Sequence, residues 1–276
     1  MVHKKKETLS RDIIAQAIDV GADLAGIAAV EDLKRSPSHR FSEIMPAFDG
    51  VGTQYVAGRK RGMVQWQESS RSAIVIAIAH PREKPELDWW VTGARAGNTA
   101  GNRLLMSVVT KLAAWLDTHL GIRSTPLPYH IEHGAVYMKD AAVMAGMGCI
   151  GKNNLVVTPQ FGPRQRLRVM LTDADLPSTG PIDFDPCLDC PMPCRTACPQ
   201  RAFSKTIHTV KTYGLDRLPG RSGVYSRWRC NRQMASDDAG FETIEIDGQA
   251  EKRVKYCREC ELACPVGRDR PAGSDR

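Results

Sequence analysis

The placement of cysteine constrains this chain more than any other feature. Only Cys149 lies before position 187. The other cysteines form Cys187-x2-Cys190-x3-Cys194-x3-Cys198-Pro199 and Cys257-x2-Cys260-x3-Cys264-Pro265, with Cys230 between the two runs. Thiolates two or three residues apart on a turning backbone converge on one centre, so these spacings ask for a metal or a redox cluster. The N-terminus shows no apolar leader and no twin arginine, and we expect a cytoplasmic protein whose thiols stay reduced. Two four-cysteine zinc ribbons are the alternative reading, and a disulfide framework is the weaker one. Neither explains why both runs end in Cys-Pro.

A plain cluster carrier needs no large domain ahead of its cysteines, yet most of the 276 residues lie there. Of the whole, 42% are hydrophobic and 25% charged, which excludes a disordered or collagen-like chain. No apolar run approaches the ~20 residues of a membrane span. The Pro-, Gly- and Asp-rich stretch Asp175–Pro186 divides the chain into an α/β domain over 1–175 and a cysteine-rich module over 176–276. Ser10 is expected to cap a helix that stops at Gly21. Leu24–Val30 reads as a strand, and the apolar Ala73–Ala79 as a central strand buried on both faces. Asn102–Leu120 has helical periodicity, and Asp117 to Gly121 reads as its capped C-terminus. His130–His133 reads as a short strand with the two histidines on opposite faces. Ala135–Gly146 reads as a helix, and Leu155–Thr158 and Leu167–Leu171 as strands. Residues 35–70 read as a long surface or active-site loop.

The two Cys-Pro endings resemble the bacterial two-cluster ferredoxins, in which the last cysteine of each run ligates the other cluster. That resemblance assigns Cys187, Cys190, Cys194 and Cys264 to one [4Fe–4S] cluster, and Cys230, Cys257, Cys260 and Cys198 to a second. The Pro after each last cysteine is expected to start a helix, because it lacks an N–H that would be unpaired there. The x3 gap before Cys194 departs from the usual x2.

The segment Glu132–Asn153, EHGAVYMKDAAVMAGMGCIGKN, resembles the epoxyqueuosine reductases, where an acidic residue opens a similar stretch ending in AGLGxIGKN. Glu132 falls on that family's catalytic Asp, Lys139 on its Arg, and Gly151, Lys152 and Asn153 on its GKN. The run from Thr158, TPQFGPRQRLRVMLTDADLPSTGPIDF, is similar to the reductive dehalogenases, with their TP-x-x-GPR-x-R and TD-x-x-L. Both families join a cobalamin-binding α/β domain to a two-cluster ferredoxin-like module. The Asp-Tyr-His that epoxyqueuosine reductases carry before the long helix is not evident near Gly97–Asn102.

The resemblance implies a reductase that cleaves or deoxygenates its substrate with cobalamin and two [4Fe–4S] clusters. A reductive dehalogenase-like enzyme is one alternative, and a two-cluster electron carrier without corrin is the other. Glu132 is the first candidate proton donor, since a Glu sheltered beside a corrin would hold its proton at neutral pH. Tyr137 is the second, and Lys139 would orient donor or substrate. Gly148 and Gly151 would allow close backbone approach, and Lys152 and Asn153 would offer donors to the corrin or its phosphate tail. A strand-end carboxylate, a packing Tyr, a solvated Lys and a glycine-rich turn are the bland alternatives. Cys149 reads as a small buried thiol. Arg59-Lys60-Arg61 reads as a solvated loop, or as a contact to a phosphate-bearing substrate. The implied partners are an electron donor such as ferredoxin or flavodoxin, and a substrate that is a small molecule or a tRNA. The net charge of +7 does not decide between them, because anionic clusters would offset part of it.

Overall fold

The apolar run Ser72–Ala79 is buried along its whole length in the computed structural model, which describes residues 2–44, 56–93, 99–218 and 221–267. This strand, β2, pairs with β1 (Leu24–Ala29) on one side and β7 (Gln165–Thr172) on the other, and β4 (Ser124–Pro126) extends the sheet beyond β7. Every pairing is antiparallel, so the α/β pattern resolves into an α+β core. Helices cover both faces nonetheless. On one face α1 (Val2–Asp19) and α4 (Ala100–Leu120) set Ile13, Leu105 and Leu112 against Ile27, Ile74, Ile76 and Met170. On the other, α2 (Val30–Lys34) and α5 (Met138–Met144) set Leu33, Ala141 and Ala142 against Ala28, Val75 and Val169. Successive strand residues point to opposite faces, so a doubly covered strand must be apolar throughout, as β2 is.

The long helix keeps its expected ends. Thr99 caps it through Asn102 N–H, and Gly121 takes the left-handed conformation (φ 63°) and donates to Asp117 and Leu116 carbonyls. Three local expectations change. Ser10 does not cap α1 but lies buried inside it, because the preceding Lys and Glu residues are good helix formers and nothing stops the helix from starting earlier. Within residues 35–70 a helix, α3 (Pro37–Ile44), forms where a loop was expected; residues 45–55 of that stretch, and Gly97, lie outside the described residues. Its first turn is held by Asp140 of α5, which accepts from Ser38 N–H at 2.7 Å and Ser38 Oγ at 2.6 Å. Ile131–His133 is a 3₁₀ turn and not a strand. Residues three apart eclipse in such a turn, so the His130 and His133 rings lie on one side, 5.9 Å apart.

After β7 the chain stays on the core past residue 175. Thr179 N–H donates to Ile27 O at 2.9 Å, and its hydroxyl donates to Ala145 O at 2.7 Å. Beyond it come α6 (Pro193–Thr196), α7 (Val210–Tyr213), α8 (Arg227–Ala239) and α9 (Glu259–Leu262). Cys194 and Cys260 lie within α6 and α9, which pack together. Turns follow Pro199, so the helix expected after the first Cys-Pro pair does not form; after Pro265 only residues 266–267 are described, and short helices precede both Cys198 and Cys264. A hairpin of β8 (Glu242–Ile246) and β9 (Gln249–Val254) pairs back to β3 (Trp90–Val91), tying the module to the core. No described helix is long and apolar enough to cross a membrane.

Candidate functional site

A cavity of about 800 Å³ opens between α5 of the core and the cysteine-rich module. Tyr137 and Lys139 line it from the core side, and Cys198, Cys230, Cys257 and Cys260 line it from the module. None of Cys187, Cys190, Cys194 and Cys264 does.

Electrostatic neighbours among the cysteine sulfurs fall into two groups. Burial pushes the Cys194 thiol up to about 11, and the neighbouring sulfurs that add to this are Cys264, Cys187 and Cys190. Burial likewise pushes Cys260 up to about 12, and its neighbouring sulfurs are Cys230, Cys257 and Cys198. Cys198 thus leaves its own run and stands with the later cysteines, while Cys264 stands with the earlier ones. Among the described residues no three Cys, His, Asp or Glu side chains converge on a single metal ion. Four thiols in each group are the donor chemistry that a four-iron cubane takes. Cys149, read as a small buried thiol, is half-buried on the cavity wall, where burial pushes its thiol up to about 11.

The turn after α5 explains the Gly-Lys-Asn run. It leads into a two-stranded ribbon of β5 (Cys149–Ile150) and β6 (Val156–Val157). Gly148 lies on the cavity wall with φ 156°, and a Cβ there would stand 2.0 Å from Val157 O. A Cβ on Gly151 would stand 2.7 Å from Asn153 Oδ1, and Gly151 is not on the wall. Lys152 turns away from the cavity; its Nζ donates to Leu188 O at 3.2 Å, and its carbonyl accepts from Arg195 Nε at 3.0 Å. Asn153 is on the wall and donates to Cys260 O at 3.3 Å. Lys152 and Asn153 therefore grip the backbones of the two cysteine runs, one each.

The two candidate proton donors meet at one residue. Glu132 is 2% exposed, and its Oε1 accepts from Gly62 N–H at 3.2 Å. Tyr137 Oη donates to Gly62 O at 2.6 Å. Arg59 closes the loop by donating to Glu132 O at 2.5 Å, so this arginine is not simply solvated. Glu132 is not on the cavity wall, whereas Tyr137 is. Burial pushes the Tyr137 phenol up to about 12, so it stays protonated. Lys139 Nζ donates to Asn154 O at 2.8 Å; burial, then Arg227, pushes it down to about 8 against the pull of Asp140.

Behind Tyr137, His39 Nε2 accepts the Tyr137 N–H at 3.4 Å, so Nδ1 carries the proton toward Ser36 Oγ at 2.8 Å. Burial pushes His39 from 6.5 down to about 4. Between those values the unfolded chain binds a proton that the folded one refuses, so stability is full above pH 6.5 and is lost on acidification toward pH 4. The loss should reach about 3 kcal/mol. Urea midpoints measured across this window should slope less steeply in His39→Asn than in the parent; equal slopes would clear His39 of the effect.

Sequence reasoning missed a buried knot of charge under the second cysteine run. Asp88 Oδ1 accepts from His80 Nδ1 at 2.9 Å and pairs with Arg166 at 2.8 Å, while its Oδ2 pairs with Arg258 at 2.8 Å. Both arginines also pair with Glu261. Arg164, likewise missed, is buried and donates to Cys264 O at 3.1 Å and Val266 O at 2.6 Å. The GPR signature held Arg164 in view, but no spacing linked Asp88 to the cysteines.

No protein-family model matches the chain. Among curated proteins it is 30% identical over 144 residues to an epoxyqueuosine reductase of Pseudomonas aeruginosa, covering 52% of this chain and 35% of that one. It is 24% identical over 274 residues to that of Staphylococcus aureus, covering 94% and 65%. With the tetrachloroethene reductive dehalogenase of Dehalobacter restrictus it shares 27% over 228 residues, covering 73% and 39%. The chain thus spans between about a third and two thirds of the length of these relatives. Among solved structures, an epoxyqueuosine reductase with an epoxyqueuosine-modified tRNA stem loop matches with a TM-score of 0.62 at 18% identity, over 96% of this chain and 66% of that one. A catabolic reductive dehalogenase with 3-bromo-4-hydroxybenzoic acid matches at 0.58 and 19%, over 94% and 32%. These structural likenesses show a shared fold. By sequence the chain is similar to both epoxyqueuosine reductases and reductive dehalogenases, the two families of oxidoreductases that its motifs resemble.

Proposed function

We propose that the chain is an iron–sulfur, cobalamin-dependent reductase that carries out a reductive cleavage or deoxygenation in the cytoplasm. The observation that carries this reading is the cavity, which has Cys198, Cys230, Cys257 and Cys260 on one wall and Tyr137 and Lys139 on the other. In this reading Cys187, Cys190, Cys194 and Cys264 hold a first [4Fe–4S] cluster, away from the cavity. Cys198, Cys230, Cys257 and Cys260 hold the second, and the module works as a two-cluster ferredoxin would. A cavity of about 800 Å³ is at the upper end of small-ligand pockets, which supports a large cofactor such as a corrin. Bound there, the corrin would supply a cobalt centre able to take electrons singly.

The chain's own residues do the rest. Tyr137 holds a proton at the wall, and the Gly62 carbonyl fixes its hydroxyl. Glu132 stands behind it on the Gly62 amide, where it positions the loop rather than meeting substrate. Lys139 brings a positive charge to the same wall, while Gly148 and Asn153 shape it. Electrons would come from a ferredoxin or flavodoxin. One structural neighbour is bound to a tRNA stem loop and another to a small halogenated benzoic acid, so tRNA and a small molecule both stay in the proposal. An organohalide remains the outcome that a dehalogenase-like chemistry would give.

The test is anaerobic reconstitution with iron, sulfide and cobalamin. Two clusters per chain with corrin co-eluting are expected. A protein that holds both clusters and lets all corrin pass is an electron carrier instead. On a verified substrate, Tyr137→Phe should lower turnover by roughly 10²–10⁴ with corrin content unchanged. Full turnover in that variant removes Tyr137 as the donor.

A further inference from the structure

We propose that Lys139 and Arg227 form an anion subsite in the cavity that takes a phosphate group. The proposal rests on reading this cavity as the reaction chamber. Lys139 reaches the wall from α5, and Arg227 reaches it from the first turn of α8. The groups that favour the Arg227 cation are Tyr225, Cys230 and Tyr129, with no carboxylate among them. Its guanidinium hydrogen-bonds the Tyr225 side chain, while its Nε is buried and has no partner. Lys139 Nζ donates one hydrogen bond, to Asn154 O, which leaves two N–H groups for another acceptor.

Three of the four carboxylates on the wall are committed elsewhere, Asp183 being the fourth. Both oxygens of Asp140 are taken by Ser38, Asp185 pairs with Arg221, and Glu261 pairs with Arg166 and Arg258. Two sheltered cations on the lining of one cavity repel each other, and the charge of Arg227 helps to depress the Lys139 ammonium. A bound anion relieves that repulsion and fills the open donors. A guanidinium offers a planar fork and an ammonium a point charge, the pairing that phosphate recognition uses. Lys152, the residue whose motif suggested a phosphate contact, is spent on Leu188 O and faces away. Arg217 also lines the wall; the open donors identified there are those of Lys139 and Arg227.

The phosphate has two possible sources: the phosphodiester of a corrin's nucleotide tail, or a phosphate carried by the substrate. Calorimetric titration of the reconstituted two-cluster protein with inorganic phosphate, cobalamin and cobinamide separates them, since cobinamide lacks the tail. Phosphate should bind saturably, and Arg227→Gln should weaken it by about tenfold or more, with Arg227→Lys recovering part of the loss. A tail site predicts that Arg227→Gln weakens cobalamin but not cobinamide. A substrate site predicts that both corrins bind as before, while phosphate still competes for the loaded protein and does so less well in the variant. Equal phosphate affinity in parent and variant overturns the proposal, as does a shift in cluster potential alone, which would mean that Arg227 only balances the cluster on Cys230. Should Arg227→Gln fail to assemble that cluster, Lys139→Gln, outside the cysteine runs, gives the same readout. Cluster and corrin content in the same preparations show whether the reductase reading has failed separately.

Discussion

Asp88→Asn should destabilise the protein by about 3–5 kcal/mol, the usual cost of removing one partner from a buried ionic network. It should also empty the second cysteine set of iron. Burial alone would raise the Asp88 carboxyl, yet His80, Arg166 and Arg258 together hold it below the usual carboxylate range. The neutral amide keeps the shape and loses the charge, so two arginines are left to share Glu261. Arg258 lies between Cys257 and Cys260, and Glu261 follows Cys260 directly. The knot is therefore the strap that holds this loop to the core, together with the Arg258 hydrogen bond to His80 O at 2.5 Å. The first cysteine set has its own anchor, Arg164 on the carbonyls of Cys264 and Val266. Iron per chain should fall toward half in Asp88→Asn, with the unfolding midpoint lowered. Exposed pairs set the contrast: Glu31–Lys34 lies on the surface, where solvent screens the two charges. Iron content equal to the parent's would show that the strap is not needed to seat the loop.

What could be read in the sequence is what is encoded locally. β2 announced itself because a strand covered on both faces has no polar positions to interrupt it. The long helix did so through its periodicity and Gly121. The cysteine spacings and their Cys-Pro endings, with the ferredoxin resemblance, divided the sulfurs into two sets, and their electrostatic neighbours fall into two groups. The rest depends on partners far apart in the chain. α3 had a local start signal in Ser36-Pro37, which the loop reading passed over, but the hold of Asp140 on its first turn comes from 102 positions away. Lys152 looked like a cofactor ligand because a lysine in a glycine-rich turn has no local mark that shows which way it faces. His80, Asp88, Arg166, Arg258 and Glu261 share no spacing at all and meet only when β2, β7 and α9 come together. The antiparallel sheet was hidden for a related reason: helix and strand patterns give the elements but not the direction in which each strand is entered.

Exchanging single cysteines tests the crossing of the two runs, and its effect is the loss of a whole cluster. Cys198→Ser should remove the cluster on the cavity wall and spare the other, although Cys198 belongs to the first run. Cys264→Ser should remove the cluster away from the cavity, although it closes the second run. The physical reason lies in the grouping: Cys260 has Cys198 among its near sulfurs, and Cys194 has Cys264. A cubane lacking one thiolate corner is exposed to solvent and loses iron, while its neighbour keeps four intact corners. Iron content should halve in both variants, and electron paramagnetic resonance of the reduced protein should show a different surviving signal in each. Turnover should vanish in Cys198→Ser even though the remaining cluster still accepts electrons, because that cluster does not border the cavity. Cys264→Ser should keep the cavity-side cluster reducible by dithionite, a small donor that needs no docking site. If each run instead built its own cluster, the pattern would reverse: Cys264→Ser would strip the cavity wall, and Cys198→Ser would leave it intact.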